Sequence, residues 1–126
     1  MQKIQDRTDE ERIARATRVA RAAFEMKAER LVALDVRALT SYADTFVLMT
    51  GGSDRHVRAI ADSIVEAFKA QGDKPLGVEG HDEGRWILID LGDVIAHVFQ
   101  SDVRDEYDLE RLWSDAPPLE IADPAA

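Results

Sequence analysis

Two apolar runs separated by a short turn constrain the fold of this chain more strongly than any other feature. The first run covers Arg85–Asp90 and the second covers Asp93–Phe99, and each has the length and composition of a β-strand. Only Leu91 and Gly92 lie between them, and a two-residue connection that contains glycine is typical of a β-hairpin. The sequence therefore predicts an antiparallel pair of strands around which the rest of the chain folds.

The two faces of this predicted hairpin differ in chemistry, because successive side chains alternate between faces and cross-strand partners share one. One face is uniformly aliphatic and is the better candidate for the core; it carries Ile87, Ile89, Val94, Ala96 and Val98. The other face is mixed, with Trp86 paired to His97, Leu88 to Ile95 and Asp90 to Asp93, and with Phe99 beyond. We expect either a helix of the same chain or another molecule to cover the mixed face, and the sequence leaves both open.

The segments before the hairpin alternate between helical and extended patterns. Apolar residues at helical spacing predict a first helix over about residues 9–30, capped by Thr8 or Asp9. Two apolar runs predict strands at 31–36 and 45–50. Ser53 then caps a helix that runs to about Ala70.

After that helix, residues 75–80 form a short third strand, and an acidic helix follows the hairpin from about Ser101 to Trp113. The element order α-β-β-α-β-β-β-α predicts an α/β fold, a single domain with a mixed sheet of about five strands flanked by helices. We expect the domain to cover residues 1–116, with its α/β core at about 31–114, and residues 117–126 to form a flexible C-terminal tail.

Charge is distributed unevenly along the 126 residues. The net charge is −9, yet residues 1–30 carry eight basic and six acidic side chains. Residues 79–115 carry eleven acidic and three basic side chains. A protein that binds nucleic-acid backbone needs a basic surface, so direct nucleic-acid recognition is not expected. The acidic region indicates either a solvated surface or a site for a basic partner.

The composition also indicates the cellular compartment in which the chain is expected. No segment approaches the 18 or so consecutive apolar residues that a membrane span requires. The first residues are too acidic for a transit peptide and lack the apolar stretch of a signal peptide, so we expect a cytoplasmic protein. Cysteine is absent, which excludes disulfides and thiolate metal sites.

A glycine-rich turn at Gly51-Gly52-Ser53 precedes the second helix, where free backbone amides can hold an anion. A strand, a Gly-Ser turn and a helix also open the nucleotidyltransferases, which place paired carboxylates on the following strand to bind two metal ions. Here that strand offers only Glu79, so a structural turn with a helix cap is the favoured interpretation.

Metal binding at the hairpin is not expected either. Asp90, Asp93 and His97 supply suitable ligand types, but His97 lies about 13 Å along its strand from Asp93. Bonds from one ion to such ligands measure about 2.0–2.2 Å. No nucleophile motif is present, so we predict neither catalytic residues nor a cofactor.

Five segments, taken in order, resemble the ribosomal silencing factor S family, also called Iojap-related. The resemblance covers about residues 10–114, and the tail lies outside it. The segments are ALDV (33–36), ADTFVLMTGGSDRHVRAIAD (43–62), PLGVEG (75–80), WILIDLGDVIAHVF (86–99) and YDLERLW (107–113).

The resemblance implies a regulatory protein with a nucleotidyltransferase-like fold that lacks the catalytic carboxylates. Such proteins bind the large ribosomal subunit through ribosomal protein L-fourteen, block joining of the small subunit and so repress translation when nutrients are short. The resemblance further implies a homodimer in the free state. It assigns the partner surface to Trp86, Asp90, Asp93, His97, Tyr107 and Trp113.

Two alternatives stay open at this point. One is a metal-dependent nucleotidyl- or phosphotransferase that uses the Gly51-Gly52-Ser53 turn. The other is a scaffold dimer that acts in ribosome assembly and has no effect on subunit joining.

Overall fold

Five strands build one mixed sheet in this protein. The structure is a computed structural model that describes residues 8–121, apart from the side chains of residues 109 and 110. The strands are β1 (Glu29–Asp35), β2 (Thr45–Gly51), β3 (Gly77–Glu79), β4 (Trp86–Asp90) and β5 (Val94–Gln100). Their order across the sheet is β1-β2-β5-β4-β3, in which β2 and β5 are parallel and the other neighbours are antiparallel. The predicted mixed α/β sheet is confirmed.

Helices pack on both sides of this sheet. They are α1 (Asp9–Glu25), α2 (Asp54–Lys69), α3 (Ser101–Tyr107) and the short α4 (Leu109–Leu112). The aliphatic face of the hairpin packs with α1 and α2 in one apolar cluster, as its composition predicts. A second cluster lies on the opposite side of the sheet, which we call the outer face, and it includes Val103 of α3.

The first helix begins as predicted. The Thr8 hydroxyl accepts a hydrogen bond from the Glu11 backbone N–H, and the Glu11 side chain accepts one from the Thr8 backbone. This reciprocal arrangement is a capping box, which satisfies two backbone donors that the helix itself leaves free. The second helix is capped by Ser53, as its sequence indicates.

The first helix ends earlier than predicted, so the boundary at residue 30 was wrong. It stops at Glu25, and Glu29 and Arg30 belong to β1. Lys27 takes a left-handed conformation with φ 63°. The Lys27 N–H bonds Phe24 O and the Ala28 N–H bonds Ala23 O, which is the hydrogen-bond pattern of a Schellman motif. Glycine usually occupies this position, and its absence hid the helix end.

Replacing Lys27 by glycine should therefore stabilise the protein. Glycine adopts positive φ without the steric cost that lysine bears, and we expect the free energy of unfolding to rise by about 0.5–1 kcal/mol. Urea unfolding of Lys27→Gly beside the wild type measures this, with Lys69→Gly, at the helical residue that ends α2, as the control that should lose stability. A Lys27→Gly protein less stable than the wild type would contradict the assignment.

The hairpin pairs in a different register from the predicted one. Trp86 lies opposite Phe99 and Leu88 opposite His97, so the partners are shifted by two residues. The turn consists of Gly92 and Asp93, because the Leu91 N–H bonds Val94 O and Gly92 takes φ 93°. Glycine is suited to that positive φ, and leucine is not. A shift of two residues leaves every strand side chain on its predicted face.

The last predicted helix is interrupted. Asp108 takes a left-handed conformation with φ 46°, which ends α3 and separates it from α4. Aspartate is among the residues that adopt this conformation most readily. The break turns the chain, so that Tyr107 and Trp113 do not lie on one continuous helical stripe.

The segment from Pro117 runs along the outer edge of β1. The Asp35 N–H bonds Pro117 O, and the Leu119 N–H bonds Ala33 O at 2.8 Å. Leu119 and Ile121 pack against the cluster formed by α1 and α2. Residues 122–126 of the predicted tail lie outside the described residues. Among the helices of residues 8–121, none is long and apolar enough to cross a membrane.

Candidate functional site

The outer face of the sheet is arranged in three rows that follow from strand register. Each row crosses the sheet through side chains on the same side. The first row is Leu34, Phe46, Ile95, Asp90 and Gly77; the second is Val32, Leu48, His97, Leu88 and Glu79; the third is Thr50, Phe99 and Trp86. Five of the predicted site residues lie on this face or directly above it, namely Trp86, Asp90 and His97 on the strands and Tyr107 and Trp113 above them.

Six rings form one continuous group on this face, which we call the aromatic cluster. Tyr107 of α3 contacts Trp86, with ring centroids 5.2 Å apart. Trp86 also contacts Phe99 at 5.0 Å and His97 at 6.1 Å. Phe46 joins the other end, with its centroid 4.9 Å from His97 and 5.1 Å from Trp113. Trp86, His97, Tyr107 and Trp113, which lie far apart in the chain, are therefore brought together.

The cluster is covered only in part by its own chain, which answers the question that the sequence left open. Phe99 and His97 are buried beneath other side chains. Trp86, Leu88, Ile95 and Trp113 are half-buried, and Tyr107 is 58% exposed. Toward β4 and β3 the outer face is less covered, since Leu88 and Asp90 are partly exposed and Glu79 is exposed. A half-exposed aromatic surface of this kind is typical of a protein-binding site.

His97 holds Trp86 in place. The Trp86 Nε1–H donates a hydrogen bond to His97 Nδ1 at 3.2 Å. Burial lowers the pKa of His97 from 6.5 to about 4, so the imidazole is neutral near pH 7. A neutral ring that accepts at Nδ1 carries its hydrogen on Nε2. Among the described residues, this Nε2 has no hydrogen-bond partner.

The two predicted aspartates have different surroundings. Asp90 is half-buried on the outer face, and its Oδ1 accepts a hydrogen bond from the Gly92 N–H. Asp93 instead forms an ion pair with Arg15 of α1, at 2.7 Å between Oδ1 and Nε. Its side chain is only 13% exposed. Asp93 thus fastens the hairpin turn to α1 and does not lie beside the aromatic cluster.

Exposed carboxylates border the cluster. On α3 they belong to Asp102, Asp105 and Glu106. Arg104 of the same helix is buried, and its Nη1 donates to Arg30 O at 2.7 Å and to Thr50 Oγ1 at 2.9 Å. Arg104 therefore anchors α3 to the sheet. Asp105 pairs with Arg30 at 3.1 Å, whereas Asp102 and Glu106 face solvent and make this border electronegative.

The Gly51-Gly52-Ser53 turn is occupied by its own side chains. Ser53 Oγ accepts from the His56 N–H at 3.1 Å, and the Gly52 N–H donates to His56 Nδ1 at 2.8 Å. A Cβ on Gly51 would lie 3.0 Å from a methyl of Val57, so glycine allows β2 and α2 to pack closely. These contacts favour the structural interpretation of the turn. Within residues 8–121, no three carboxylate or imidazole side chains group to hold a metal ion.

Sequence reasoning missed two residues that shape the site. Phe46 joins the two ends of the aromatic cluster, and the alternation of β2, which places Phe46 and Leu48 on the same side, could have indicated it. Arg104 anchors α3, but its partners lie 54 and 74 residues away in the chain, and no local signal reports them.

Comparison with known proteins places the chain in a family. The family model described as "Ribosomal silencing factor during starvation" matches residues 9–126, which include the segment after Pro117. The ribosomal silencing factor of Bacillus subtilis is 45% identical over 102 residues, covering 81% of this chain and 86% of that protein. A solved structure from Chromobacterium violaceum superposes with a TM-score of 0.79 at 35% identity, covering 90% of this chain and 97% of that one.

An organellar relative extends the comparison. A mouse protein named "Mitochondrial assembly of ribosomal large subunit protein 1" is 33% identical over 76 residues, which are 58% of this chain and 33% of that protein. The match of residues 9–126 to the family model and the 45% identity to the Bacillus subtilis protein decide the assignment. The chain belongs to the ribosomal silencing factor family.

Proposed function

We propose that this chain binds the large ribosomal subunit through ribosomal protein L-fourteen and blocks joining of the small subunit, which represses translation when nutrients are limited. The observation that carries the proposal is the aromatic cluster, half-exposed on the open side of the outer face and bordered by carboxylates. Aromatic side chains that are partly buried before binding supply affinity at modest entropic cost. Membership of the silencing factor family supports the ribosome as the target.

The charge of the surface supports a protein as the direct contact. Exposed acidic groups on α3 repel the phosphates of ribosomal RNA and attract a basic protein. The chain can therefore reach a particle made largely of RNA by docking on one of its basic proteins. Once bound, it acts sterically, because it occupies surface that the small subunit needs.

The proposal assigns no catalytic step to the chain. Its relatives are named as silencing factors, and the hydrogen bonds of the Gly51-Gly52-Ser53 turn give that turn a structural role. We further propose that the protein is cytoplasmic and that the free form is a homodimer. Leu112, which precedes Trp113 of the aromatic cluster in the chain and is 71% exposed, and the exposed Tyr107 favour self-association in the absence of the ribosome.

A role in subunit assembly is a second candidate. It is favoured by the printed name of the mouse relative, which refers to assembly of the large ribosomal subunit. The two roles share one docking surface and differ only in the stage at which the chain binds.

Sedimentation tests the proposed target. Purified chain is mixed with large subunits, with small subunits or with isolated ribosomal protein L-fourteen, and the bound fraction is measured. We expect binding to the large subunit and to the isolated protein. Binding to the small subunit alone, or to large subunits that lack this protein, would contradict the proposal.

A further inference from the structure

Glu79 is an exposed carboxylate on the outer face that neither the predicted site nor the fold accounts for. It ends β3 and lies opposite Leu88, which in turn lies opposite His97. Cross-strand neighbours point to the same side of the sheet, so Glu79 belongs to the face that carries the aromatic cluster. Within residues 8–121, its side chain has no hydrogen bond or ion pair with another residue.

Several other acidic residues of the chain, by contrast, pair with basic side chains. Asp35 pairs with Arg37, Asp54 with Arg58 and Asp73 with Arg15. Those carboxylates contribute to internal contacts, whereas the carboxylate of Glu79 is available to another molecule.

The surroundings of Glu79 are suited to a guanidinium, the cation of an arginine side chain. Its diagonal neighbours on β4 are Trp86 and Asp90, which by strand geometry lie roughly 7–8 Å away and within reach of long side chains. Gly80, next in the chain, is held against the backbone of Trp86, since a Cβ there would lie 2.2 Å from Trp86 O. A guanidinium can pair with carboxylates and also stack on an indole ring, which an ammonium does less well.

Leu88 adds an apolar contact to the same row. It lies between Glu79 and His97 across the sheet and is only partly buried. The surface beside Glu79 is therefore both acidic, through Glu79 and Asp90, and apolar, through Leu88. This combination suits the planar, weakly hydrated guanidinium group of an arginine side chain.

We infer that Glu79, together with Asp90 and the indole of Trp86, binds an arginine side chain of the basic ribosomal protein. This inference rests on the proposed function and extends the docking surface from β4 to β3. Glu79 acts as a specificity-determining contact, because its carboxylate accepts the guanidinium hydrogen bonds while Leu88 provides the apolar floor.

Charge substitutions with a matched control test this inference. Glu79→Gln and Glu79→Lys are compared with Glu66→Gln and Glu66→Lys, which make the same charge changes at an exposed position of α2, on the other side of the sheet. The affinity for purified large subunits is measured at several salt concentrations. We expect a loss of roughly tenfold or more for Glu79→Gln, a larger loss for Glu79→Lys, and nearly unchanged affinity for both Glu66 variants. Glu79→Gln should also weaken the salt dependence of binding.

Because Glu79 is exposed, the melting temperatures of its variants should match that of the wild type. If Glu79→Lys fails to fold, the isosteric Glu79→Gln variant still provides the test.

Equal affinity of the Glu79 and Glu66 variants for large subunits would overturn the inference. A Trp86→Ala chain in the same assay distinguishes a failure of the Glu79 contact from a failure of the whole proposed docking surface. If it loses binding while the Glu79 variants bind normally, the docking surface stands and Glu79 is not part of it. If all of them bind normally, the docking surface itself is wrong.

Discussion

A chain that carries Trp86→Ala and Asp90→Lys should fold normally and fail to bind the large ribosomal subunit. Trp86 contacts both Phe99 and Tyr107 while part of its surface stays exposed, so it is the central anchor of the aromatic cluster. Truncation of such an anchor typically costs about 2–4 kcal/mol of binding free energy. Asp90→Lys adds a charge of the wrong sign for a basic partner, and together the changes should weaken binding by roughly a thousandfold. Co-sedimentation with purified large subunits measures the loss.

A matched control comes from the opposite side of the molecule. Phe24→Ala with Glu66→Lys also removes one aromatic side chain and reverses one charge, at positions on α1 and α2 that are exposed to solvent. This control should sediment with large subunits like the wild type. If the Trp86 and Asp90 variant co-sediments as well as the control does, the outer face is not the docking surface.

His97 should make the protein less stable in mild acid. Burial lowers its pKa to about 4 in the folded chain, against 6.5 in the unfolded one. Between these values the unfolded chain binds a proton that the folded chain does not, so the free energy of unfolding falls as the pH falls from about 6.5 to about 4. The full loss is about 3 kcal/mol. Protonation would also place a hydrogen on Nδ1, the atom that accepts from Trp86.

Urea unfolding at several pH values measures this effect by comparison with His97→Phe. Phenylalanine keeps a ring among Phe46 and Phe99 but has no group that titrates. The variant should lose about 3 kcal/mol less than the wild type over the same pH range, because the other histidines are common to both chains. Parallel stability curves for the two proteins would show that His97 does not govern acid sensitivity.

Much of the fold can be read from local patterns in this sequence. The alternation of the hairpin strands assigned each side chain to the correct face even though the register was wrong. This is because a shift of two residues preserves the alternation and both candidate turns contain Gly92. The first residue of the observed turn needs a positive φ, and Gly92 occupies that position, which determines the observed register of the hairpin.

Other features depend on contacts that no local pattern contains. Asp93 looked like a neighbour of Asp90 on the partner surface, but it pairs with Arg15, which lies 78 residues away. The end of α1 at Lys27 lacks the glycine that normally marks such a position. The half-open state of the aromatic cluster depends on the break at Asp108, which sets where α3 ends. Most rings of the aromatic cluster can be predicted from the sequence, whereas tertiary packing determines which of them are exposed.

We propose that the chain prevents the ribosomal subunits from joining by occupying the large one. The most direct measurement is a sucrose gradient of purified large and small subunits, mixed under joining conditions with and without the protein. We expect the wild-type chain to reduce the joined-ribosome peak in proportion to its occupancy of the large subunit. The Trp86→Ala, Asp90→Lys chain should leave this peak unchanged. A joined peak at full height while the wild-type chain occupies the large subunit would rule out a block of subunit joining.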